Sequence, residues 1–503
     1  MQKITKEDNY DVIIVGGGNT ALLTAIRAQE VGAEKILILE KAPKTERGGN
    51  GYFTTGLYRV VHSGTKELAE LMPTMTEEER EMEFAPYTAD EFFSDYMIGN
   101  DGLGDESMMQ MIVEESNAAI RWMIKNGIEF ETGSGSMMRV GGKLVHVGRL
   151  AVQCKGAGAG LSDTLYKMIE KKGIELHYET AARKLLTDDT GRIMGVKIQG
   201  NKAVQEVKSK SVVLACGGFE SSPSMRAQYL GKDWDLCLVR GGRHNTGDGL
   251  NMAMDVGAQP YGNWSGCHAI FIDAESPQPA RREDGEKTSK RIYIFGLVVN
   301  SRGERFVDEG EDDITMTYSR YGQHALKQAG RIAFQIFDST GNDIINAMPV
   351  DDYVGAPYTK ADTITELADM LAIDEETLVK TVEDYNNAIE PGGSLEYHKF
   401  LGLPHDQQAL SITPPKSGNA FALNKPPYYA YAVSCGITFT YGGLKVSKRG
   451  EVLNQLDKPI PGLYAAGETV GGLFYTNYPG ATGLTAGAIF AKIVGANAIE
   501  DNK

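Results

Sequence analysis

Cysteine is scarce and scattered in this 503-residue chain: Cys154, Cys216, Cys237, Cys267 and Cys435, with no C-x-x-C pair among them. An odd, dispersed set argues against a disulfide framework or a zinc ribbon and for free thiols in a reducing compartment; no metal site is expected. No C-x-x-C-H occurs, which excludes covalent haem attachment. Basic residues are outnumbered, 51 Lys and Arg against 67 Asp and Glu, and the formal net charge of −16 argues against a nucleic-acid surface. No run of 18 apolar residues is present, and the opening MQKITKEDNY lacks the apolar segment of a signal peptide. A soluble, cytoplasmic protein is expected. Internal repeats and low-complexity tracts are missing too. The length exceeds one ordinary core and predicts two or three domains.

What is present begins with YDVIIVGGGNTALLTAIRAQEVGAEKILILEK. The run Val12–Val15 predicts a buried parallel strand. Gly16-Gly17-Gly18-Asn19-Thr20-Ala21 follows with the spacing G-x-G-x-x-A, and good helix formers continue from Leu22 to Gln29. A second apolar run, Ile36 to Leu39, ends at Glu40. Gly16 permits the tight turn, Gly18 admits a pyrophosphate, and the small Ala21 lets helix and strand pack closely. The helix start offers free N–H groups to phosphate. Glu40 can accept hydrogen bonds from a ribose diol. Strand, turn, helix, strand and acid in this order predict a dinucleotide site, for NAD or for FAD.

Later stretches narrow the choice. LYAAGE, Leu463 to Glu468, is a short apolar strand ending in a small-residue turn and an acid. TNYPGATGLTAG, Thr476 to Gly487, is built of small residues with one phenol, Tyr478, among them. Between lie RGGNGYFTTG (Arg47 to Gly56), VVLACGGFE (Val212 to Glu220), TGDGLNMAMDVGA (Thr246 to Ala258), VNSRGERFVDE (Val299 to Glu309) and TYGGLKV (Thr440 to Val446). In this order they resemble the fumarate reductase/succinate dehydrogenase flavoprotein family; GCHA and NYPGATGL are most similar to its tricarballylate dehydrogenase-like branch. The resemblance implies an α/β fold, a glutathione-reductase-type (Rossmann-like) FAD-binding domain with an inserted α+β capping domain.

That resemblance also implies which residues meet FAD. They are Gly16, Gly18, Asn19, Thr20, Ala21, Glu40 and Lys41; Gly48, Gly49, Asn50 and Gly51; Gly217 and Gly218; Asp248; Gly467 and Glu468; and Gly483 and Leu484. Members that link FAD covalently carry a histidine at about the position of Asn50, so a noncovalent flavin is expected. Glu468 would bond ribityl or ribose hydroxyls. The helix beginning near Gly483 would aim N–H groups at the flavin N1/O2 edge, where charge accumulates on reduction.

The middle of the chain reads as an insertion. It carries a charged loop, Pro277 to Lys287, and a helical stretch, Ile364 to Ile389. Expected boundaries are 1–262 and 441–503 for the FAD-binding domain and 263–440 for the cap, with the substrate cleft at the junction. The acidic stretch Thr76 to Tyr96 predicts a solvated helical excursion.

The family interconverts C–C single and double bonds beside an electron-withdrawing group, with hydride moving to or from flavin N5. It needs a clamp for the carbonyl or carboxylate and a proton donor or acceptor. His268 matches one family histidine. The second falls on Phe439, the donor arginine near Asp313, and the late arginine on Tyr478. A tyrosine there is similar to 3-ketosteroid 1-dehydrogenases, in which the phenol holds a ketone oxygen, although Thr482 stands where their glycine would be. Tyr441, Tyr318, Arg320, Arg291 and Asp313, on stretches that border the site in the family, are the candidates for proton transfer. The implied activity is FAD-dependent dehydrogenation or ene-reduction of a CH–CH bond next to a carboxylate or carbonyl. A ketosteroid-type dehydrogenase or enone reductase is one alternative and a noncatalytic electron-relay subunit another. No haem, iron–sulfur or FMN segment is present, so an unidentified electron donor or acceptor is expected as partner.

Overall fold

The structure is a computed structural model and describes residues 9–133, 137–140, 143–146, 149–200, 204–285, 287–312, 314–347, 352–391 and 407–502. Its first sheet is built on the strand Asn9–Val15, whose residues Val12 to Ile14 are fully buried. Burial on both faces is why the run is continuously apolar and not alternating. Five strands are parallel, in the order Pro459–Ala465, Val204–Leu214, Asn9–Val15, Ile36–Leu39, Glu175–His177. Glu451–Leu453 adds an antiparallel edge, and Ala181–Thr187 and Ile193–Gln199 form a meander on the long strand Val204–Leu214.

The helix Asn19–Glu30 is buried on nearly every side because it lies between this sheet and the C-terminal helix Thr482–Glu500. Those two helices meet where Gly495 passes the backbone of Thr24. A Cβ there would sit 2.7 Å from the Thr24 carbonyl oxygen. Thr482–Glu500 is, among the described residues, the one helix long and apolar enough by composition to cross a membrane; here it is a core helix.

The second sheet has six strands around Tyr428–Thr440. Cys267–Asp273, Ala333–Phe337 and Thr359–Ala361 pair with it antiparallel, Leu238–Val239 pairs parallel, and Leu297–Asn300 adds to Ala333–Phe337. Alternation decides its two faces. Leu297, Val299 and Ile336 pack against Leu367, Leu378 and Tyr385, whereas Val298 and Phe337 pack against Tyr293, Tyr321 and Tyr431.

Two sequence expectations change in detail. The stretch 364–389 is two helices, Ile364–Leu371 and Glu375–Asn387, separated at Ala372 in the left-handed region, φ 53°. Asp374 accepts from the Thr377 N–H and starts the second helix afresh, as a side-chain cap does. The acidic stretch 76–96 holds the helices Glu77–Glu81 and Ala89–Gly99, each opened by a capping box, Thr76 with Glu79 and Thr88 with Glu91. The second is not solvated on all sides: Phe92 and Tyr96 are fully buried, and Asp95 is drawn in to meet Arg59.

Candidate active site

A groove of about 950 Å³ of empty space opens at the carboxyl ends of the parallel strands, where ligands of open α/β sheets bind. Gly16, at φ 115°, turns the chain so tightly that a Cβ would overlap the Ala215 carbonyl. At Gly18 the opposite holds: the nearest protein atom to a Cβ is the Gly48 carbonyl oxygen at 4.0 Å, and the position faces the groove. The helix Asn19–Glu30 has no side-chain N-cap, so its first N–H groups are left for what enters. Glu40 accepts from the Ala42 N–H at 2.7 Å, and burial raises its pKa above the usual carboxylate value. Lys41 donates to Asp248 at 2.9 Å at the far end.

Gly16, Gly18, Asn19, Thr20, Glu40, Lys41, Gly49, Asn50, Gly51, Gly217, Asp248, Gly467 and Glu468 line this groove. Three expected contacts lie behind its wall. Ala21 is fully buried in the helix–sheet contact. A Cβ on Gly48 would press on the Ser162 hydroxyl at 2.7 Å, and one on Gly218 would overlap the Glu468 and Thr440 side chains. Asn245 and His244, not singled out from sequence, line the groove as well; nothing in their local pattern marks them.

A second chamber, of about 1040 Å³ of empty space, shares Asn19, Thr20, Asn50, Gly51, Gly467 and Glu468 with the groove. Gly483 and Leu484 line it at the start of the C-terminal helix. Its outer part is walled by rings. His268 stands 5.0 Å from Phe439, 5.0 Å from Tyr478 and 5.1 Å from Tyr318 between ring centroids, and Phe474 and Tyr441 complete the box. His268 begins the strand Cys267–Asp273 and pairs with Phe439, which brings both to the mouth of the second sheet. It is buried, its Nδ1 has no hydrogen-bond partner among the described residues, and burial holds its pKa well below that of a free imidazole. Burial thus favours the neutral ring.

Tyr478 is 6% exposed. Its phenol oxygen accepts the Gly483 N–H at 3.2 Å. That N–H was expected to face a flavin edge and is used here to orient the phenol. With a lone pair so engaged, the hydroxyl hydrogen remains to be donated. Burial pushes the Tyr478 pKa up to about 12, which keeps the group a neutral donor. The turn around it is fixed from beneath. Ser319 donates to the Tyr478 carbonyl at 3.2 Å and also bonds Asn477; Arg59 donates to the Gly480 carbonyl at 2.9 Å. Arg59 is fully buried and paired with Asp95 at 2.9 Å. The Thr482 hydroxyl is turned back on the Pro479 carbonyl at 2.7 Å.

The charged candidates fare unequally. Arg291 lines the chamber, but its guanidinium grips the fully buried Asp352 with two bonds, 2.9 and 2.6 Å. Arg320 does not line it; it turns to Glu311 at 2.7 Å because its position on the helix Ile314–Leu326 faces that carboxylate. Asp313 lies outside the described residues. Arg240, which sequence reasoning missed, reaches the chamber wall while bonding Ser289, Thr438 and the Phe53 carbonyl. Among the described residues no group of three or more His, Cys, Asp or Glu is arranged to hold a metal ion.

A strand–glycine turn–helix groove continuous with a ring-lined chamber is the arrangement of a dinucleotide-binding protein. The chain belongs to the FAD-binding-domain family, which it matches over residues 11–484. It is 27% identical, over 99% of its length and 78% of the relative, to a fumarate reductase (cytochrome) of Shewanella frigidimarina. It is 26% identical to a vinyl phenol reductase of Lactiplantibacillus plantarum, over 97% of this chain and 95% of that one. Among solved structures, the open conformation of a flavocytochrome c3 fumarate reductase superposes with a TM-score of 0.74 at 25% identity, covering 98% of this chain and 78% of that one. A 3-ketosteroid Δ1-dehydrogenase of Sterolibacterium denitrificans superposes at 0.73 and 21% identity, over 99% and 100% of the two chains, which shows the shared fold. The α/β architecture with an inserted cap that the sequence resemblance implied is the fold of these proteins.

FAD fits the residues present. The open Gly18 position and the uncapped helix suit a pyrophosphate, Glu40 suits a ribose, and the shared wall at Glu468 lets one extended ligand run from groove to chamber.

Proposed function

We propose that this protein is an FAD-dependent oxidoreductase acting on a CH–CH bond, by dehydrogenation or ene-reduction, next to a carbonyl or carboxylate. The observation that carries the reading is Tyr478, a buried neutral phenol whose oxygen is held by the Gly483 N–H and which lines a ring-walled chamber. FAD, when bound, supplies hydride acceptance or donation at N5. The chain's own residues do the rest. Tyr478 donates to the substrate carbonyl oxygen and stabilises enolate character there. The rings of Phe439, Phe474 and Tyr318 exclude water and hold a flat conjugated body. Tyr441 and Tyr318 are the phenols placed for proton exchange at the neighbouring carbon. Arg291 is compensated by Asp352, burial disfavours the charged form of His268, and Arg240 is engaged with Ser289, Thr438 and the Phe53 carbonyl at the wall; one engaged arginine is fewer cations than two carboxylates need, which favours a ketone or enone over a small dicarboxylate. The walled chamber argues against a mere electron relay.

On this reading residues 1–262 and 441–503 form the FAD-binding domain and 263–440 the cap, although Leu238–Val239 joins the cap's sheet. The flavin is held without a covalent bond, since Asn50 offers no nucleophilic ring nitrogen. Free thiols at all five cysteines support a cytoplasmic location, and a separate electron donor or acceptor serves the flavin. The test is anaerobic photoreduction of the bound flavin, then reoxidation against fumarate, aconitate-type acids, aryl acrylates and enones. Fast reoxidation by enones or aryl-conjugated compounds and slow reoxidation by fumarate is expected. Efficient fumarate turnover would overturn the carbonyl preference.

A further inference from the structure

At the wall between groove and chamber one amide, that of Asn245, reaches two carboxyl groups, Glu468 on the wall and Glu220 behind it. Glu220 is fully buried. Its Oε1 accepts from the Asn50 amide and from the Asn245 amide, the latter at 2.6 Å, while its Oε2 is buried with no N–H or O–H donating to it among the described residues. Glu468 is differently placed. Its Oε1 accepts the Thr440 N–H at 3.0 Å, the second Asn245 amide contact reaches its Oε2 at 3.4 Å, and it lines both cavities. Asn245 thus bridges the two acids. The other charged and titratable groups facing them are Arg226, whose guanidinium is spent on the Glu220 main-chain carbonyl at 2.6 Å, and the buried Cys267 thiol. Arg226 attracts the Glu220 charge through space, but its N–H groups go to main-chain carbonyls and none bonds either carboxyl. Two carboxylates sharing one amide in a low-dielectric site do not both ionise.

We propose that Glu220 and Glu468 hold one proton between them, carried on Glu220 Oε2 and donated to Glu468, and that protonated Glu220 is a positioning residue that locks Asn50 at the joint between groove and chamber. The lock is complete on the amide. Asn50 gives one N–H to Glu220 and the other to the Thr438 carbonyl at 2.6 Å, and its oxygen accepts the Gly242 N–H at 2.9 Å. Asn50 thereby ties the glycine turn of the FAD-binding part to the strand Tyr428–Thr440 of the second sheet. Burial and the neighbouring Glu468 both push Glu220 well above the ordinary carboxyl value of 4.5. A glutamine at 220 would reproduce the neutral acid, with its carbonyl toward the two amides and its N–H₂ toward Glu468.

The test uses the flavin-loaded protein with Glu220→Gln and Glu220→Ala. Infrared difference spectra, wild type minus Glu220→Gln at about pH 7, should show the C=O stretch of a protonated carboxyl, which ordinary exposed glutamates do not retain there. Glu220→Gln should keep its flavin, and Glu220→Ala should bind it at least about tenfold more weakly through loss of a buried hydrogen-bond acceptor. The folded protein holds a proton that the unfolded chain releases, so wild-type stability falls as pH rises above the unfolded value. The melting-temperature advantage of Glu220→Gln over wild type should therefore grow between about pH 5 and pH 8. Absence of the infrared band overturns the shared proton. Flavin loss from Glu220→Gln as severe as from Glu220→Ala overturns the positioning role. The pair rests on the flavin reading only through its second arm; the infrared arm stands whatever the cofactor does.

Discussion

Tyr478 carries most of the chemistry assigned to one side chain. Removing its oxygen as Tyr478→Phe leaves ring packing against His268, Phe439 and Phe474 intact. Flavin content should be unchanged and kcat/KM should fall by about 10²–10³, the size of one oxyanion-type donor. If the phenol were only a wall, the Phe variant would turn over normally and Tyr478→Ala alone would fail, so stopped-flow rates for both on one enone separate the two roles. With the Tyr478 pKa near about 12, any pH break in the wild-type rate below about pH 10 belongs to another group. Gly18 makes the companion case. Its Cβ position is empty of protein to 4.0 Å, so Gly18→Val should fold and purify as colourless apoprotein, read from the visible flavin absorbance. Retained yellow colour would mean that the pyrophosphate passes elsewhere.

Elements explain why some of this was legible in the sequence and some was not. The groove announces itself because backbone demands are local: a left-handed turn needs Gly16, an open approach needs Gly18, and a helix start follows at once. NYPGATGL is legible for the same reason. The turn's support is not, because it comes from elements distant in sequence. Arg59 follows the short strand Leu57–Tyr58, Asp95 sits on the helix Ala89–Gly99, and Ser319 on the helix Ile314–Leu326. Only tertiary packing joins them under residues 477–480. Arg320 shows the converse: it shares a helix with Tyr318 and Ser319, yet a turn of helix directs it to Glu311. The buried Arg59–Asp95 pair is the element-scale test. Arg59→Leu removes the buried cation, while Arg149 and the Tyr87 hydroxyl still bond Asp95, so the expected cost is about 1–3 kcal/mol, that of a lost charged hydrogen bond. Urea unfolding should show that loss. At denaturant concentrations where the variant is still folded, the loosened turn should also lower kcat more than it raises KM. A loss of stability with normal kcat would make the pair purely structural.

At the scale of the whole molecule, two sheets meet along the groove and the chamber that continues it, and the walls of that joined space are drawn from both. Gly16, Asn19 and Gly467 come from the parallel sheet's rim, while His268, Phe439 and Thr440 come from the second sheet. A ligand that runs from the groove into the chamber touches both sheets at once, so its binding free energy becomes part of their cohesion. A ligand at about 100 times its dissociation constant adds about 2.7 kcal/mol to stability by mass action. Stripping FAD should therefore lower the melting temperature, and added FAD should restore it with a concentration dependence that a covalent cofactor cannot show. The same argument fixes what acid does. Asn50 is amide-locked by Glu220, Thr438 and Gly242 and has no ring nitrogen to bond the flavin. On the proposed noncovalent attachment, acid that unfolds the groove should release the cofactor, and the yellow colour should pass entirely to the supernatant after acid precipitation. Colour in the washed pellet would place a covalent link on some other residue and would remove mass action as the source of the stabilisation, which the FAD titration of the melting temperature would reveal independently as a flat line.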